Sequence, residues 1–460
     1  MSAVRPAGTT PPSALGGTGR GRRPSDRIGP VSTALRLGGL FGPSVFGITS
    51  AAVALPQVAA ALKADTAQVA WVLTAHALAL GVGTAVLGRL ADSRGPRTAL
   101  AAAVLLLAGG ALVCVVAPSL GVLVAGRLLL AAGSGGTAAV GAALLAGVTG
   151  PARPRVLAGY GTAVAVFASA ATLLGGLVTA WLSWRVTLAL PALSILAAPS
   201  CLSLATRPGS RRPIDVPGAA ALTVAVATLL VLVQVRTLRL GAPVAVTLAA
   251  GFVLAAGAVA WRATRRPDGF VPRALVAEPA CRSGAVTGVG VFGGLFAAMY
   301  TIPQILTGTH GWDVLAVGVA LLPGAAAGAL LSRRAGRLGP AGGRLVLAGT
   351  SLAAAIALAV TATEWGGPWP AVVAASLCLA AFAVTQVVIT GEVSARLPAA
   401  SRGAGMGLLN LAFFAGGGVA SAVVATCAAG LGFSRATAVV ALFPLAAAVL
   451  AVGTRNRGGR

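Results

Sequence analysis

The chain contains 460 residues, of which 57% carry hydrophobic side chains and only 9% are charged. Soluble domains carry about 25% charged residues, so this composition excludes an ordinary soluble globular protein. At about 20 residues per membrane-spanning helix, the hydrophobic residues supply on the order of a dozen spans. Little chain is left for a separate aqueous domain, and the function is therefore expected within a membrane.

The formal net charge of +25 raises the question of a nucleic-acid partner. Such binding needs basic residues gathered on one face or in one run, whereas here they are dispersed along the chain. The five cysteines show neither a CxxC pair nor a regular framework spacing, which is what a disulfide or metal role would require. We therefore expect no nucleic acid, no metal and no cofactor.

The first 36 residues mix Arg, Pro, Gly, Ser and Thr without apolar periodicity. This composition predicts a disordered basic tail over residues 1–36. The segment lacks the apolar stretch and small-residue site of a cleaved signal peptide, so the tail is expected to be retained.

Apolar stretches long enough to span a membrane follow the tail in the order six, two, six. Arg, Pro or Gly clusters separate them, and the count is fourteen. Their centres lie near Gly47, Leu80, Leu107, Ala131, Phe167, Leu193, Val226, Gly251, Leu295, Leu322, Ala353, Leu379, Ala415 and Phe443.

The basic residues give an independent test of this count, because cytoplasmic loops carry an excess of Lys and Arg. If the N-terminus is cytoplasmic, 28 of the 34 basic residues fall in cytoplasmic segments, five fall in outer loops, and Arg127 lies inside the fourth span. A wrong helix count would scramble this alternation. We therefore predict a plasma-membrane protein with both termini in the cytoplasm, and its charge excess is explained by topology and anionic inner-leaflet lipid.

A short charged turn follows the second span, over residues 88–97. Its glycines permit a sharp turn, its arginines suit the inner headgroups, and its acidic residue can pair with Arg or face a helix N-terminus. A solvated turn that only fixes topology is the alternative for a generic Arg-rich loop. The functional candidates in the turn are Gly88, Arg89, Asp92, Arg94, Gly95 and Arg97.

This turn resembles the loop signature of the major facilitator superfamily at its Gly, Asp, Gly and Arg positions. A second copy, Gly336-Arg337-Leu338 with Gly343 and Arg344, occupies the matching place after the second helix of the last six, without the acidic residue. Several short segments resemble the fourteen-helix drug/proton antiporter branch, among them Val53-Ala54-Leu55-Pro56, Trp71-Val72-Leu73-Thr74 and Ser183-Trp184-Arg185.

The resemblance implies an all-α membrane protein of two pseudo-symmetric six-helix bundles plus two inserted helices. The expected boundaries are 37–206 for the first bundle, 207–281 for the inserted pair with its cytoplasmic loop, 282–454 for the second bundle and 455–460 for a cytoplasmic tail. Duplicated halves of this kind bind substrate at midplane and work by alternating access.

The function implied is export of hydrophobic or amphipathic small molecules, cations included, in exchange for protons, by a monomer that is not an enzyme. Uptake or facilitated diffusion of a small nutrient by the same fold is one alternative. A membrane protein with no transport role is another. No HExxH, GxSxG or phosphate-binding loop motif is present to support an enzyme.

Two segments depart from the branch pattern. The fifth span carries Ala171-Thr172-Leu173-Leu174-Gly175-Gly176, where the branch has Gly-Pro-x-x-Gly-Gly, so only the helix-packing pair Gly175 and Gly176 is kept. The first span has Gly47 where the branch places an Asp, and all nine acidic residues fall in loops or at span edges. A buried carboxylate is the usual proton carrier of such pumps, so its absence weakens proton antiport more than transport itself.

His76 and Arg127 are the ionisable side chains at membrane depth. Imidazole has an unperturbed pKa of about 6.5, which makes His76 a proton-coupling candidate, with a neutral structural His as the alternative. Arg127 matches an Arg that the branch links to proton transfer, and simple pairing with a backbone carbonyl or polar neighbour is its alternative. Asp92 is the third candidate, at the edge of the bundle.

The polar and aromatic side chains within the spans predict a mostly apolar cavity. Aromatic residues at helical spacing also serve as packing residues, so each is a weak indication by itself. The cavity candidates are Phe167, Phe296, Tyr300, Gln304, Asn410 and Phe413.

Overall fold

The structure is a computed structural model, and it describes residues 29–148, 151–211, 213–235, 238, 240–266, 269–397 and 402–453. Within these ranges fourteen helices are long and apolar enough to cross a membrane, and each predicted span centre lies in one of them. The prediction of an all-helical, fourteen-span protein is confirmed.

We number these helices α1 to α14. They are α1 (Pro30–Leu62), α2 (Trp71–Arg94), α3 (Pro96–Val116), α4 (Leu120–Ala146), α5 (Arg153–Trp181), α6 (Trp184–Cys201), α7 (Val216–Val233), α8 (Ala242–Arg265), α9 (Pro279–Gly308), α10 (Val314–Arg337), α11 (Gly339–Ala362), α12 (Trp369–Arg396), α13 (Arg402–Leu431) and α14 (Phe433–Gly453). We call the membrane face that carries the 88–97 turn the inner face and the opposite one the outer face.

The structure corrects the predicted end of the N-terminal tail. Helix α1 already begins at Pro30, rather than after residue 36, because proline is favoured in the first turn of a helix, where its missing N–H is not needed. Arg36 lies within this helix and donates from Nη1 to the carbonyl of Ser200 at 3.1 Å and to the hydroxyl of Ser203 at 3.1 Å. Residues 1–28 and 455–460 of the predicted tails lie outside the described residues, as does residue 454 at the end of the predicted second bundle.

The two six-helix bundles repeat the same neighbour relations with a shift of eight helices. In the first bundle α2 and α3 pack on α4, and α1 packs on α5; in the second, α10 and α11 pack on α12, and α9 packs on α13. The bundles meet where α2 lies along α13, where α5 meets α10, and where the outer half of α1 meets α9.

The inserted pair lies at the edge of this assembly. Helices α7 and α8 pack on each other, and α7 also contacts α2 and α13. The apolar stretch of α8 is unburied within the described structure, as expected for a helix that faces lipid.

The glycine pair of α5 sits where three helices approach closely. A Cβ atom at Gly175 would lie 2.7 Å from Ser50 Cα on α1, and one at Gly176 would lie 3.1 Å from the carbonyl oxygen of Val314 on α10. The hydroxyl of Ser50 donates to the carbonyl of Ala171 at 2.5 Å, which adds a hydrogen bond to the same approach. Small residues at such positions let helix backbones come together in a membrane.

We expect Gly175→Val to lower the free energy of unfolding by about 1–3 kcal/mol, the usual cost of overpacking a close contact. The backbone of α1 has to shift to accommodate the new side chain, because the clashing atom is a Cα. Gly109→Val on α3 is the matched control, since a Cβ there meets nothing within 4 Å. Thermal unfolding of the purified proteins in detergent checks the prediction, and equal shifts for the two variants would contradict it.

Candidate functional site

Two helices of the first bundle are interrupted halfway. In α1, Gly42–Gly47 forms a 3-10 segment that contains Pro43, and in α6, Leu190–Leu193 forms another that contains Pro191. The two 3-10 segments pack against each other. Proline supplies no N–H to the helical ladder, so interruptions of this kind leave backbone carbonyls in need of other donors.

Arg127 of α4 donates to a carbonyl at each of the two interruptions. Its side chain is 0% exposed and reaches three different helices. Nη1 donates to the carbonyl of Leu188 on α6 at 2.9 Å, Nε donates to the carbonyl of Val72 on α2 at 3.4 Å, and Nη2 donates to the carbonyl of Gly47 on α1. None of the ion pairs found in the described residues involves it. The guanidinium is thus held by carbonyl dipoles, which satisfy a fork of N–H donors without a counter-charge.

His76 of α2 is also fully buried and fills the space above Gly47. A Cβ atom at Gly47 would lie 2.1 Å from His76 Nε2 and 2.3 Å from Cε1. Neither ring nitrogen has a hydrogen-bond partner among the described residues. The imidazole therefore occupies the volume that a side chain on α1 would need, and His76 and a side chain at position 47 exclude each other.

The inner-face turn docks on the segments that enter and leave the inserted pair. Arg89 donates from Nη2 to the carbonyls of Gly269 at 2.7 Å and Phe270 at 3.0 Å, and its guanidinium lies 5.8 Å from the centre of the Phe270 ring. The backbone N–H of Ser210 donates to the carbonyl of Asp92 at 2.8 Å. The inserted helices are therefore tied to the inner end of α2 at both of their connections.

Gly95 provides the sharp bend of this turn. It adopts a φ of 96°, a region that side chains rarely allow, and a Cβ there would lie 3.3 Å from the carbonyl oxygen of Arg207. A Cβ atom at Gly88 would lie 3.5 Å from the Cβ atom of Ala139, an ordinary packing contact. The remaining two candidates of the turn, Arg94 and Arg97, are exposed.

Asp215, directly before α7, closes the other side of the Phe270 segment. Its carboxylate accepts from the guanidinium of Arg262, from the N–H of Phe270 at 3.1 Å and from the N–H of Gly218 at 3.1 Å. Burial opposes its ionisation, but these hydrogen bonds outweigh burial and hold the pKa of Asp215 below its ordinary value. The carboxylate therefore links α7 to α8 at the inner face.

The second copy of the turn carries an ion pair of its own. Arg344 on α11 donates from Nε and Nη2 to Oε2 of Glu392 on α12, at 2.9 and 2.8 Å. The acidic residue that is missing from this copy of the turn is thus supplied by another helix, 48 positions along the chain. Sequence reasoning did not find this pair, since the spacing gives no local pattern.

One known protein family matches most of the chain. The family model described as Major Facilitator Superfamily matches residues 37–421. This chain belongs to the major facilitator superfamily.

Curated relatives in the superfamily are named for export and resistance. The chain is 34% identical over 251 residues to the cephamycin export protein CmcT of Amycolatopsis lactamdurans, covering 51% of this chain and 50% of the relative. It is 30% identical over 325 residues to the multidrug resistance protein B homolog of Mycobacterium tuberculosis strain ATCC 25618 / H37Rv, covering 67% of this chain and 59% of the relative. The chain thus spans about half to three-fifths of the length of these relatives.

A solved structure shares the fold over most of the chain. It is a POT family transporter in complex with a thioalcohol-conjugated peptide, with a TM-score of 0.64, 14% identity, and coverage of 93% of this chain and 96% of that one. The family match and the fourteen spanning helices make the chain a multi-pass membrane protein of this superfamily, and the export-named relatives are consistent with the predicted drug-efflux branch.

The cavity candidates fall into separate places in this superfamily member. Phe296 and Phe413 are fully buried in an aromatic cluster of the second bundle, centred on Phe292. The Phe292 ring lies 4.8 Å from the Phe413 ring and 5.2 Å from the Phe414 ring between centroids, and Phe296 lies 6.2 Å from Phe414. These residues pack α9 against α13.

Phe167 instead lies in the first bundle, against the interrupted part of α1. A Cβ at Gly42 would lie 2.0 Å from its ring, and its centroid is 5.8 Å from that of Phe46. In the second bundle, the Tyr300 ring lies 5.9 Å from the Phe433 ring.

The two polar cavity candidates also lie in the second bundle. Gln304 is buried, and its Nε2 has no hydrogen-bond partner among the described residues. Asn410 is half-buried. Gln304 is thus the polar candidate with an unused donor.

We expect Asp92→Asn to slow transport by roughly two- to fivefold while leaving membrane insertion intact. Burial opposes the charge of this carboxylate, whereas the positive charges of Arg207 and Arg89 favour it, and a half-exposed charge interaction of this kind contributes about 0.5–1 kcal/mol. Glu364→Gln, in an exposed outer loop, is the control. Initial transport rates and membrane yields check the prediction, and wild-type rates in Asp92→Asn would reduce the turn to a topological anchor.

Proposed function

We propose that this protein exports hydrophobic or amphipathic small molecules across the plasma membrane, by alternating access and in exchange for protons. The observation that carries the proposal is similarity over half or more of the chain to proteins named for antibiotic export and multidrug resistance. A single chain supplies both bundles of the transport path, so we propose that the monomer is the working unit.

The contacts between the bundles support alternating access. At the outer face, Gly176 meets Val314, and a Cβ at Gly318 of α10 would lie 2.7 Å from the carbonyl oxygen of Thr172 on α5. Small residues make such contacts close, and none of the ion pairs found among the described residues joins α5 to α10, so these two helices can separate as parts of rigid bodies. Opening towards the outside requires these contacts to break while each bundle keeps its internal packing.

The burial of His76 supports it as the proton carrier. A protonated imidazole presents two N–H donors, and the described residues offer neither of them an acceptor in this state. Proton binding therefore requires another state, in which water or a polar group reaches the ring. Proton coupling needs a group that accepts a proton in one access state and releases it in the other.

Facilitated diffusion or nutrient uptake is the second candidate function. It is favoured by the acidic residues, none of which lies in the central part of a described spanning helix. Without a carboxylate in the central part of the spans, coupling depends on His76, on Asp92 at the inner edge or on protons carried by the substrate.

Counterflow in proteoliposomes, with and without a pH gradient, separates these functions. Labelled cephamycin and the neutral lipophilic dye Nile red serve as probes. Proton-coupled export predicts accumulation that requires the gradient, whereas equal flux with and without the gradient would favour facilitated diffusion. Absence of flux for both probes would count against export.

We also propose that both termini are cytoplasmic, as the distribution of basic residues indicates. Reporter fusions at residues 1 and 460 are expected to give the cytoplasmic signal at both ends. A fusion in the α5–α6 loop, between Trp181 and Trp184, serves as the control for the opposite side. Opposite signals at the two termini would contradict the arrangement.

A further inference from the structure

Acidic side chains lie away from the central part of the described spanning helices. Of the nine acidic residues in the sequence, Asp26 and Asp268 lie outside the described residues, and five others lie between spanning helices. Asp92 and Glu392 lie near the inner ends of α2 and α12, and Glu392 is neutralised by Arg344. The central part of the described spans therefore contains no carboxylate.

Arg127 is the charged group that remains there. It is fully buried, and its contacts are carbonyl oxygens rather than a carboxylate. Carbonyl dipoles stabilise a cation but do not cancel its net charge. The first bundle thus carries an uncompensated positive charge in the outer half of the membrane.

This charge lies close to the surface where the bundles meet. Arg127 touches α1 and α2, and both helices contact the second bundle. Thr74, two residues from the Val72 carbonyl, shares a 2.9 Å hydrogen bond with Ser421 on α13. The guanidinium is therefore about one helix diameter, on the order of 10 Å, from that interface. At that separation a charge still acts strongly where water is excluded.

Unused hydrogen-bond donors lie on the other helices of the interface. The amide nitrogen of Gln304 on α9 and the hydroxyl of Thr172 on α5 are buried without a partner among the described residues. Amide nitrogen donates only, so it suits an acceptor on a bound molecule, such as a carbonyl or carboxylate oxygen.

We propose that the transport path selects against cations and takes neutral or anionic amphipathic molecules, with Arg127 as the charge that sets this preference. The inference rests on the proposed export function and narrows it, because the sequence alone left cations among the expected substrates. A path beside one buried positive charge, with no carboxylate in the central part of the described spans, disfavours a cation in the outer half of the membrane.

Downhill efflux from preloaded proteoliposomes, without a pH gradient, tests the proposal independently of coupling. The probes are anionic fluorescein and cationic rhodamine 123, which share a xanthene ring system, together with neutral Nile red. We expect fluorescein to leave at least about tenfold faster than rhodamine 123 after correction for protein-free liposomes, and tenfold corresponds to about 1.4 kcal/mol. Equal rates, or faster rhodamine 123, would overturn the charge selection.

A pair of double variants makes the test sharper. Gly47→Asp with His76→Ala places a carboxylate beside Arg127, and the second change removes the imidazole that occupies this volume. Gly47→Asn with His76→Ala is the neutral control of the same shape. We expect the ratio of fluorescein to rhodamine 123 efflux to fall at least about tenfold in the Asp variant relative to the Asn variant. An unchanged ratio would overturn the role of Arg127.

Nile red separates failure of this inference from failure of the proposed function. If Nile red leaves the liposomes and the wild type does not distinguish the charged dyes, export stands and charge selection is wrong. If none of the three dyes is transported, both are contradicted. Nile red efflux by the double variants also shows that they are folded.

Discussion

His76→Ala is expected to abolish accumulation driven by a pH gradient while downhill flux continues. The imidazole is fully buried, has no hydrogen-bond partner among the described residues and lies against Gly47. Removing the ring removes the titratable group at this depth but none of the three hydrogen bonds of Arg127. The substrate path is therefore expected to survive without its coupling.

The control for this experiment is His310→Ala, which alters the other histidine of the chain in an exposed outer loop. Gradient-driven uptake into inverted vesicles and downhill efflux are measured for both variants. If His76→Ala retains full gradient-driven accumulation, the histidine is structural, and coupling runs through Asp92, through the substrate or not at all.

Arg127→Met is expected to destabilise the first bundle more than any other substitution of a single basic residue. The change leaves the carbonyls of Gly47, Val72 and Leu188 without this donor, and two of these helices are interrupted beside their carbonyl. Hydrogen bonds within membranes contribute on the order of 1 kcal/mol each, and unpaired buried carbonyls add to that cost. We expect a loss of about 2–5 kcal/mol in the free energy of unfolding.

Arg185→Met is the matched control. Arg185 stacks over Trp184 at 4.2 Å and donates from Nη2 to one carbonyl, that of Ala117, at 3.1 Å. Its loss is expected to cost less than about 1 kcal/mol. Arg127→Lys should be intermediate, since a single ammonium does not reproduce the planar fork. Thermal unfolding in detergent gives the order, and an Arg127→Met protein as stable as wild type would contradict the account.

Some prolines interrupt their helices and others do not, and the sequence does not separate the two groups. Pro43 and Pro191 lie in 3-10 interruptions, whereas Pro56, Pro303 and Pro444 lie inside helices that continue through them. All five residues lack the same N–H, so local chemistry does not separate the two outcomes. At the interruptions of α1 and α6, Arg127 from a third helix donates to the carbonyls of Gly47 and Leu188, a contact that the sequence around the prolines does not reveal.

The sequence by itself determined the fourteen spans, their order and the inner-face turn. Hydropathy over about 20 residues is a local property that determines insertion into the bilayer. Each span satisfies its own backbone hydrogen bonds within its helix, so this property does not depend on the neighbouring helices. The Gly and Arg pattern of residues 88–97 is likewise contained in ten consecutive positions. Such features need no knowledge of what packs against what.

Only the tertiary structure decided the chemistry within the bundle. His76 fills the place left by Gly47, 29 positions earlier, and Arg89 meets Phe270, 181 positions later. Arg344 likewise finds its acid on another helix. Since the hydrophobic pattern of a spanning helix is nearly uniform around its axis, sequence does not reveal which face meets which neighbour. Contacts between small residues and hydrogen bonds between the few polar groups determine which faces of the helices meet, because these interactions drive helix packing in a membrane.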